Sequence, residues 1–168
     1  GIAQMKRLIF IFLTVGMIIG VSVTAHAIET TGNEALTEDE PSTVKMVTSL
    51  DELQTTVESA EDGDTIALGQ TIYINGEAVS TDKAVTIVRA DSFTSGDMFE
   101  VYNGIVDGLR FKESISNGII TVFPVQNSKI VIKNCTIDGS GVGEGISVIG
   151  TNNLHQVIIN NCEFSNCY

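Results

Sequence analysis

Positive charge is scarce in this chain: 9 Lys and Arg stand against 21 Asp and Glu, for a formal net charge of −12. That excess repels phosphate backbones and anionic headgroups, so nucleic acid and anionic membrane are not expected partners. Histidine occurs twice and cysteine three times. Neither a Cys-x-x-Cys nor a His-x-x-x-His spacing is found among them, which removes the common zinc patterns. The Gly-Gly-x-Gly-x-Asp repeat of a calcium-binding solenoid is also missing. The apolar run Leu8 to Val23 covers sixteen residues, short of the ~20 that span a bilayer.

What that run does supply is an export signal. Met5-Lys6-Arg7 is a positive start, and Ala25-His26-Ala27 is a small-x-small cleavage site. Residues 1–27 are expected to be a signal peptide, with four extra residues ahead of the initiator Met5. No lipobox cysteine follows. An extracellular protein beginning at Ile28, secreted or at the cell surface, carries 7 basic and 21 acidic residues, a net 7 − 21 = −14. Residues 28–48 are polar and acidic, centred on Glu38-Asp39-Glu40-Pro41, and are expected to be a disordered spacer. Residues 49–168 are long enough for one domain.

Within that domain one pattern is written three times. Gly104-Ile105-Val106-Asp107-Gly108-Leu109-Arg110-Phe111-Lys112 recurs at Ile130 to Asp138 and at Val157 to Ser165, at offsets of 26 and 27 residues. A fixed period in this range marks a solenoid, each coil lying on the last. Val106, Ile132 and Ile159 fill one apolar column; Leu109, Cys135 and Cys162 a second; Phe111, Ile137 and Phe164 a third. Polar residues stand between them, as on strands with one buried face.

The alternation breaks at Asp107-Gly108, Lys133-Asn134 and Asn160-Asn161. Gly and Asn enter left-handed backbone at low cost, so two strands meet there at a corner. Asn134 above Asn161 places two amides in register, either as a hydrogen-bonded ladder or simply as turn residues. Asp107 beside Lys133, and Lys112 beside Asp138, pair opposite charges between coils. Ile119-Ile120-Thr121-Val122 and, 27 residues on, Ile146-Ser147-Val148-Ile149 supply a third strand per coil. Three strands and three corners describe a parallel β-helix.

Upstream, residues 65–68, 71–74, 85–88 and 98–101 read as shorter strands between turns. Ser49-Leu50-Asp51-Glu52 is a capping box, and Leu50, Leu53, Val57 and Ala60 share one helical face ahead of Gly63. A helix here is expected to cover the open apolar end of the stack.

The stretch SLDELQTTVESAEDGDTIAL at Ser49 to Leu68, with the later IVIKNCTIDGS and VIINNCEFSNC, resembles right-handed parallel β-helix proteins of the pectin-lyase-like superfamily. The likeness covers roughly residues 45 to 168. It implies an all-β, right-handed parallel β-helix with an N-terminal capping α-helix. Polysaccharide lyases, glycoside hydrolases, tailspikes and adhesins share that fold, so the resemblance assigns no reaction. The polygalacturonase motifs Asn-Thr-Asp, Asp-Asp, His-Gly and Arg-Ile-Lys are absent, and no catalytic, cofactor-binding or metal-binding residue is carried over. Because the sequence stops after a strand with no cap, it is expected to be the N-terminal part of a longer β-helix.

The remaining candidates are few. Arg110, Lys112, Lys129 and Lys133 are the basic residues available to a patch for a polyanion, or are scattered solvated charges. Asp138 and Glu144 flank a loop and are the candidate pair for a cation, or are solvated turn acids; no cofactor is assigned, and calcium is left open for the full-length protein. Cys135 and Cys162 share an inward column and are expected to be buried free thiols. Cys167 and His155 have no orienting partner for catalysis. The expected function is that of an exported β-helix engaging polysaccharide or cell-surface glycan. It is either the N-terminal part of a lyase-like or glycoside-hydrolase-like enzyme, or a noncatalytic adhesin binding glycans or proteins.

Overall fold

Alternating Ile, Val and Phe produce strands that all pair in parallel, so each strand returns to the same face one coil later. The computed structural model describes residues 44–150 and 154–168; the expected signal peptide and residues 28–43 of the expected spacer lie outside them. The elements run β1 (Val44–Val47), α1 (Leu50–Glu58), β2 (Thr65–Leu68), β3 (Ile72–Ser80), β4 (Thr86–Arg89), β5 (Phe99–Asp107) and β6 (Arg110–Lys112). They continue as β7 (Gly118–Val122), β8 (Lys129–Lys133), β9 (Thr136–Asp138), β10 (Glu144–Val148), β11 (Gln156–Asn160) and β12 (Glu163–Ser165). One sheet has the order β1-β2-β4-β6-β9-β12, the other β10-β7-β5-β8-β11, with β3 on β5. Strand β5 turns a corner: residues 99–101 pair with β7 and residues 104–107 with β8. The result is a parallel β-solenoid of about four turns with three faces.

The apolar columns form the core. Val79 pairs with Val106, Val106 with Ile132, and Ile132 with Ile159. Ile87, Phe111, Ile137 and Phe164 form another continuous column. The Phe99 and Phe111 rings meet edge to face across the interior, with centroids 5.0 Å apart. Each fully buried side chain of this size contributes about 1.5–3 kcal/mol. The expected columns are therefore present, but their last members are not buried: Ile159 and Phe164 are 43% and 48% exposed. Among the described residues no strand pairs with the outer edges of β11 and β12.

Helix α1 begins at Ser49, whose Oγ accepts from Glu52 N–H at 3.2 Å. The reciprocal bond runs to Thr48 N–H rather than Ser49 N–H, at 2.7 Å from Glu52 Oε2. Leu53 and Val57 are buried on the core, with Ala60 just beyond the helix and Leu50 packed alongside. Gln54 Nε2 donates to Ala78 O at 2.9 Å, tying the helix to β3. The helix sits at the N-terminal side as a cap. It ends at Glu58 with Ser59 as C-cap, while Gly63, at φ +91°, belongs to the turn into β2.

Three expectations are corrected. The spacer's final residues are ordered, since Val44–Val47 forms β1 in register with β2 and buries Val47. The third-strand repeat is offset by 26, not 27: Ile146 pairs with Ile120, and β10 spans Glu144–Val148. The strand expected at 71–74 is also longer. β3 continues to Ser80 through two register shifts, and Ala78, Val79 and Ser80 pair with Ile105, Val106 and Asp107.

Candidate functional site

The corner between β8 and β9 recurs between β5 and β6 and between β11 and β12, on three successive coils. Gly108, Asn134 and Asn161 occupy it with φ of +80°, +55° and +51°, the left-handed region that Gly and Asn enter most readily. Asn161 Nδ2 donates to Asn134 Oδ1 at 2.8 Å, and Asn134 Nδ2 donates to Asp107 Oδ1 at 2.8 Å. Ser80 Oγ completes the line, donating to Asp107 Oδ2 at 3.3 Å. Asn134 and Asn161 thus form an amide ladder over two coils, and the Asp107 carboxylate and Ser80 hydroxyl extend the hydrogen-bonded line to four.

Asp107 joins from one position earlier because Gly108 has no side chain to offer. A Cβ on Gly108 would stand 2.0 Å from Thr81 O, so no other residue fits there. That carbonyl belongs to a longer corner, residues 81–84, which replaces the single Gly108 of the next coil. The longer corner is braced: Thr81 N donates to Asp107 O at 3.1 Å, Lys83 N to Thr81 Oγ1 at 3.0 Å, and Ala84 N to Asp62 Oδ1 at 2.8 Å.

Between this corner and the coils that follow opens a cleft of about 790 Å³. Asp62, Asp82 and Asp107 contribute carboxylates to it, Lys83 and Arg110 cations, and Asn134 an amide. The lining is polar and mixed in charge, unlike the largely apolar pockets that take small drug-like molecules. Both oxygens of Asp107 are engaged, Oδ2 also facing Lys133 Nζ at 3.7 Å. That geometry suits hydrogen bonding to a polar ligand more than proton transfer by Asp107.

The four basic candidates do not come together as one patch. Arg110 lines the cleft among acids, Lys133 is paired with Asp107 as expected, and Lys112 and Lys129 lie in different sheets. Lys112 is the register partner of Asp138. The Asp138 carboxylate accepts from Ser140 N at 2.8 Å and Asn166 Nδ2 at 3.2 Å. The Ser140 N–H, then Asn166, then the Lys112 charge hold it below the usual carboxylate range. Among the described residues no group of three or more His, Cys, Asp or Glu is placed to hold a metal ion.

All three cysteines are free, with Cys135 buried, Cys162 half-buried and Cys167 exposed. Each thiol donates to carbonyls: Cys135 Sγ to Lys133 O at 3.2 Å, Cys162 Sγ to Asn160 O at 3.4 Å, Cys167 Sγ to Ser165 O at 3.5 Å. Burial pushes the Cys135 thiol up to about 11. His155 has a buried Nδ1 without a hydrogen-bond partner among the described residues.

One buried constellation escaped the sequence reading. Arg89 Nε and Nη2 donate to Glu113 Oε1 and Oε2 at 2.8 and 2.5 Å, with both side chains almost wholly buried. The guanidinium lies 4.1 Å from the Phe93 ring centroid, and Ser114 N donates to Glu113 Oε1 at 2.8 Å. Both residues occupy the inward position two after Ile87 and Phe111, one coil apart. A cation and an anion in that shared column was the available signal. The pair locks a corner rather than lining the cleft.

No protein-family model, curated protein or solved structure matches this chain.

Proposed function

We propose that this chain is an exported β-helix of the pectin-lyase-like kind that engages polysaccharide through the corner cleft. The observation that carries the reading is the cleft itself: hydroxyl, amide, carboxylate and guanidinium groups presented by successive coils around residues 81–84. A polyhydroxylated chain both donates and accepts hydrogen bonds. Such a ligand is matched by a polar wall held on rigid strands, and matched poorly by an apolar pocket.

Engagement of glycan is common to a lyase- or hydrolase-type enzyme and to a noncatalytic surface β-helix. The ladder bonds on both oxygens of Asp107 favour the binding reading at this cleft. The test is affinity electrophoresis of the purified chain in gels containing neutral or acidic polysaccharides. Retardation by at least one polysaccharide, lost in Arg110→Ala and Asp82→Asn, is expected. Unretarded migration across the whole panel overturns the reading, and release of unsaturated or reducing sugar would favour the enzyme.

A further inference from the structure

A second surface lies on the face built by residues 99–101 of β5 with β7 and the start of β3. Alternation turns Phe99 and Val101 inward and Glu100 outward. Tyr73 is the register partner of Glu100 on the preceding coil and is 57% exposed. Tyr102 lies two residues beyond Glu100, its hydroxyl donating to Glu100 Oε2 at 2.8 Å. The Tyr102 ring stacks on Phe123, with centroids 5.4 Å apart and planes 19° from parallel. Two of the chain's three tyrosines are thus held at the surface around one carboxylate.

We propose that Tyr73, Glu100, Tyr102 and Phe123 form a docking site for a basic peptide segment, a partner strand or loop presenting lysine or arginine. The faces of aromatic rings attract ammonium and guanidinium groups. Glu100 supplies a formal counter-charge among these rings, and its Oε1 has no partner among the described residues. The chain as a whole carries −12, so the field that repels phosphate draws a cationic segment inward. A neutral ligand gains nothing from that charge. A bare divalent ion is served poorly, because calcium takes six to eight oxygen ligands and this patch presents one carboxylate. The stacked Tyr102–Phe123 pair, pinned through the Tyr102 hydroxyl, presents its rings without further ordering.

The chain contains no tryptophan, so its intrinsic emission comes from its three tyrosines, and a Tyr168→Phe background leaves only the two of this patch as reporters. The experiment titrates the full chain with a peptide alternating lysine and serine, and with its glutamine-for-lysine counterpart. The expected result is a saturable change in tyrosine emission with the lysine peptide alone, weakening as salt rises. Tyr73→Ala is expected to raise Kd roughly two- to fivefold, and Glu100→Gln at least as much. Glu58→Gln removes one exposed charge from α1 and is expected to leave Kd unchanged. Equal weakening by Glu58→Gln and Glu100→Gln would reduce the effect to net charge and overturn the site. Equal binding of the glutamine peptide, or occupation of this face by a neutral polysaccharide, would overturn it as well.

Discussion

Asn161 Nδ2 donates to Asn134 Oδ1 at 2.8 Å, and both residues hold left-handed backbone at the same corner of successive coils. Asn134 therefore has two roles, a backbone conformation and a link between Asp107 and Asn161. Asn134→Ala removes the amide bonds and leaves a Cβ in the left-handed region, for an expected loss of about 2 kcal/mol. Asn134→Gly removes the bonds but keeps the conformation accessible, so about half that loss is expected. Urea denaturation measures both. Equal losses would show that the backbone conformation contributes nothing.

The corner at Gly108 is not interchangeable with its neighbours. Asn stands at the two equivalent positions, yet a Cβ on residue 108 would stand 2.0 Å from Thr81 O. Gly108→Asn is therefore expected to destabilise by more than ~2 kcal/mol, because backbone must move. It is also expected to distort the cleft, since Thr81 and Gly108 both line it. A neutral substitution, measured by thermal or urea melting, would contradict the close approach of residues 81–84.

The Arg89–Glu113 pair is desolvated on both sides. Removing one partner strands a buried charge, so Arg89→Ala or Glu113→Ala is expected to lose about 3–5 kcal/mol. Replacing both, as Arg89→Met with Glu113→Leu, is expected to be far milder, because no charge remains uncompensated. A double variant as unstable as either single one would contradict this account of the corner.

Cys135 ties stability to alkaline pH. Its thiol ionises ordinarily at 9.0 and is pushed up to about 11 by burial in the fold. Below pH 9 the folded and unfolded chains both hold the proton, and the contribution of the neutral thiol is intact. As pH rises from 9 to about 11 the unfolded chain releases its proton while the folded chain retains it, so stability falls. Cys135→Ala is expected to flatten that fall. In the native chain at neutral pH, exposed Cys167 is expected to react with a thiol reagent well before Cys135. Equal labelling rates would contradict the burial.

Much of this architecture is legible in the sequence, and the misses have physical causes. The three copies with a short corner align by eye because Gly108, Asn134 and Asn161 each occupy one turn position. The preceding coil carries the same Val79-Ser80 and Val85 to Val88 columns. Its corner is Thr81-Asp82-Lys83-Ala84, four residues where the next coil has one, an excess of 4 − 1 = 3 that shifts the pattern out of phase. That hidden insertion is also what builds the cleft, so the cleft lies where periodicity is obscured. The off-by-one register of β10 has a different origin. All five residues of Gly118–Val122 are buried, so apolar alternation does not choose between Ile119 and Ile120 as the partner of Ile146. The ladder, the Asp107–Lys133 pair and the capping helix were accessible because each rests on residues whose chemistry is local to one corner or one turn.

Coils stacked in parallel place Val106 beside Ile132 and Phe111 beside Ile137. Side-chain nuclear Overhauser contacts in a selectively labelled sample measure this directly. The prediction is strong Val106–Ile132 and Phe111–Ile137 contacts in one folded chain, with Ile132–Ile159 also present. Absence of the first two, or contacts pairing Val106 with residues in reversed order along β8, would contradict the parallel solenoid and with it the cleft it creates.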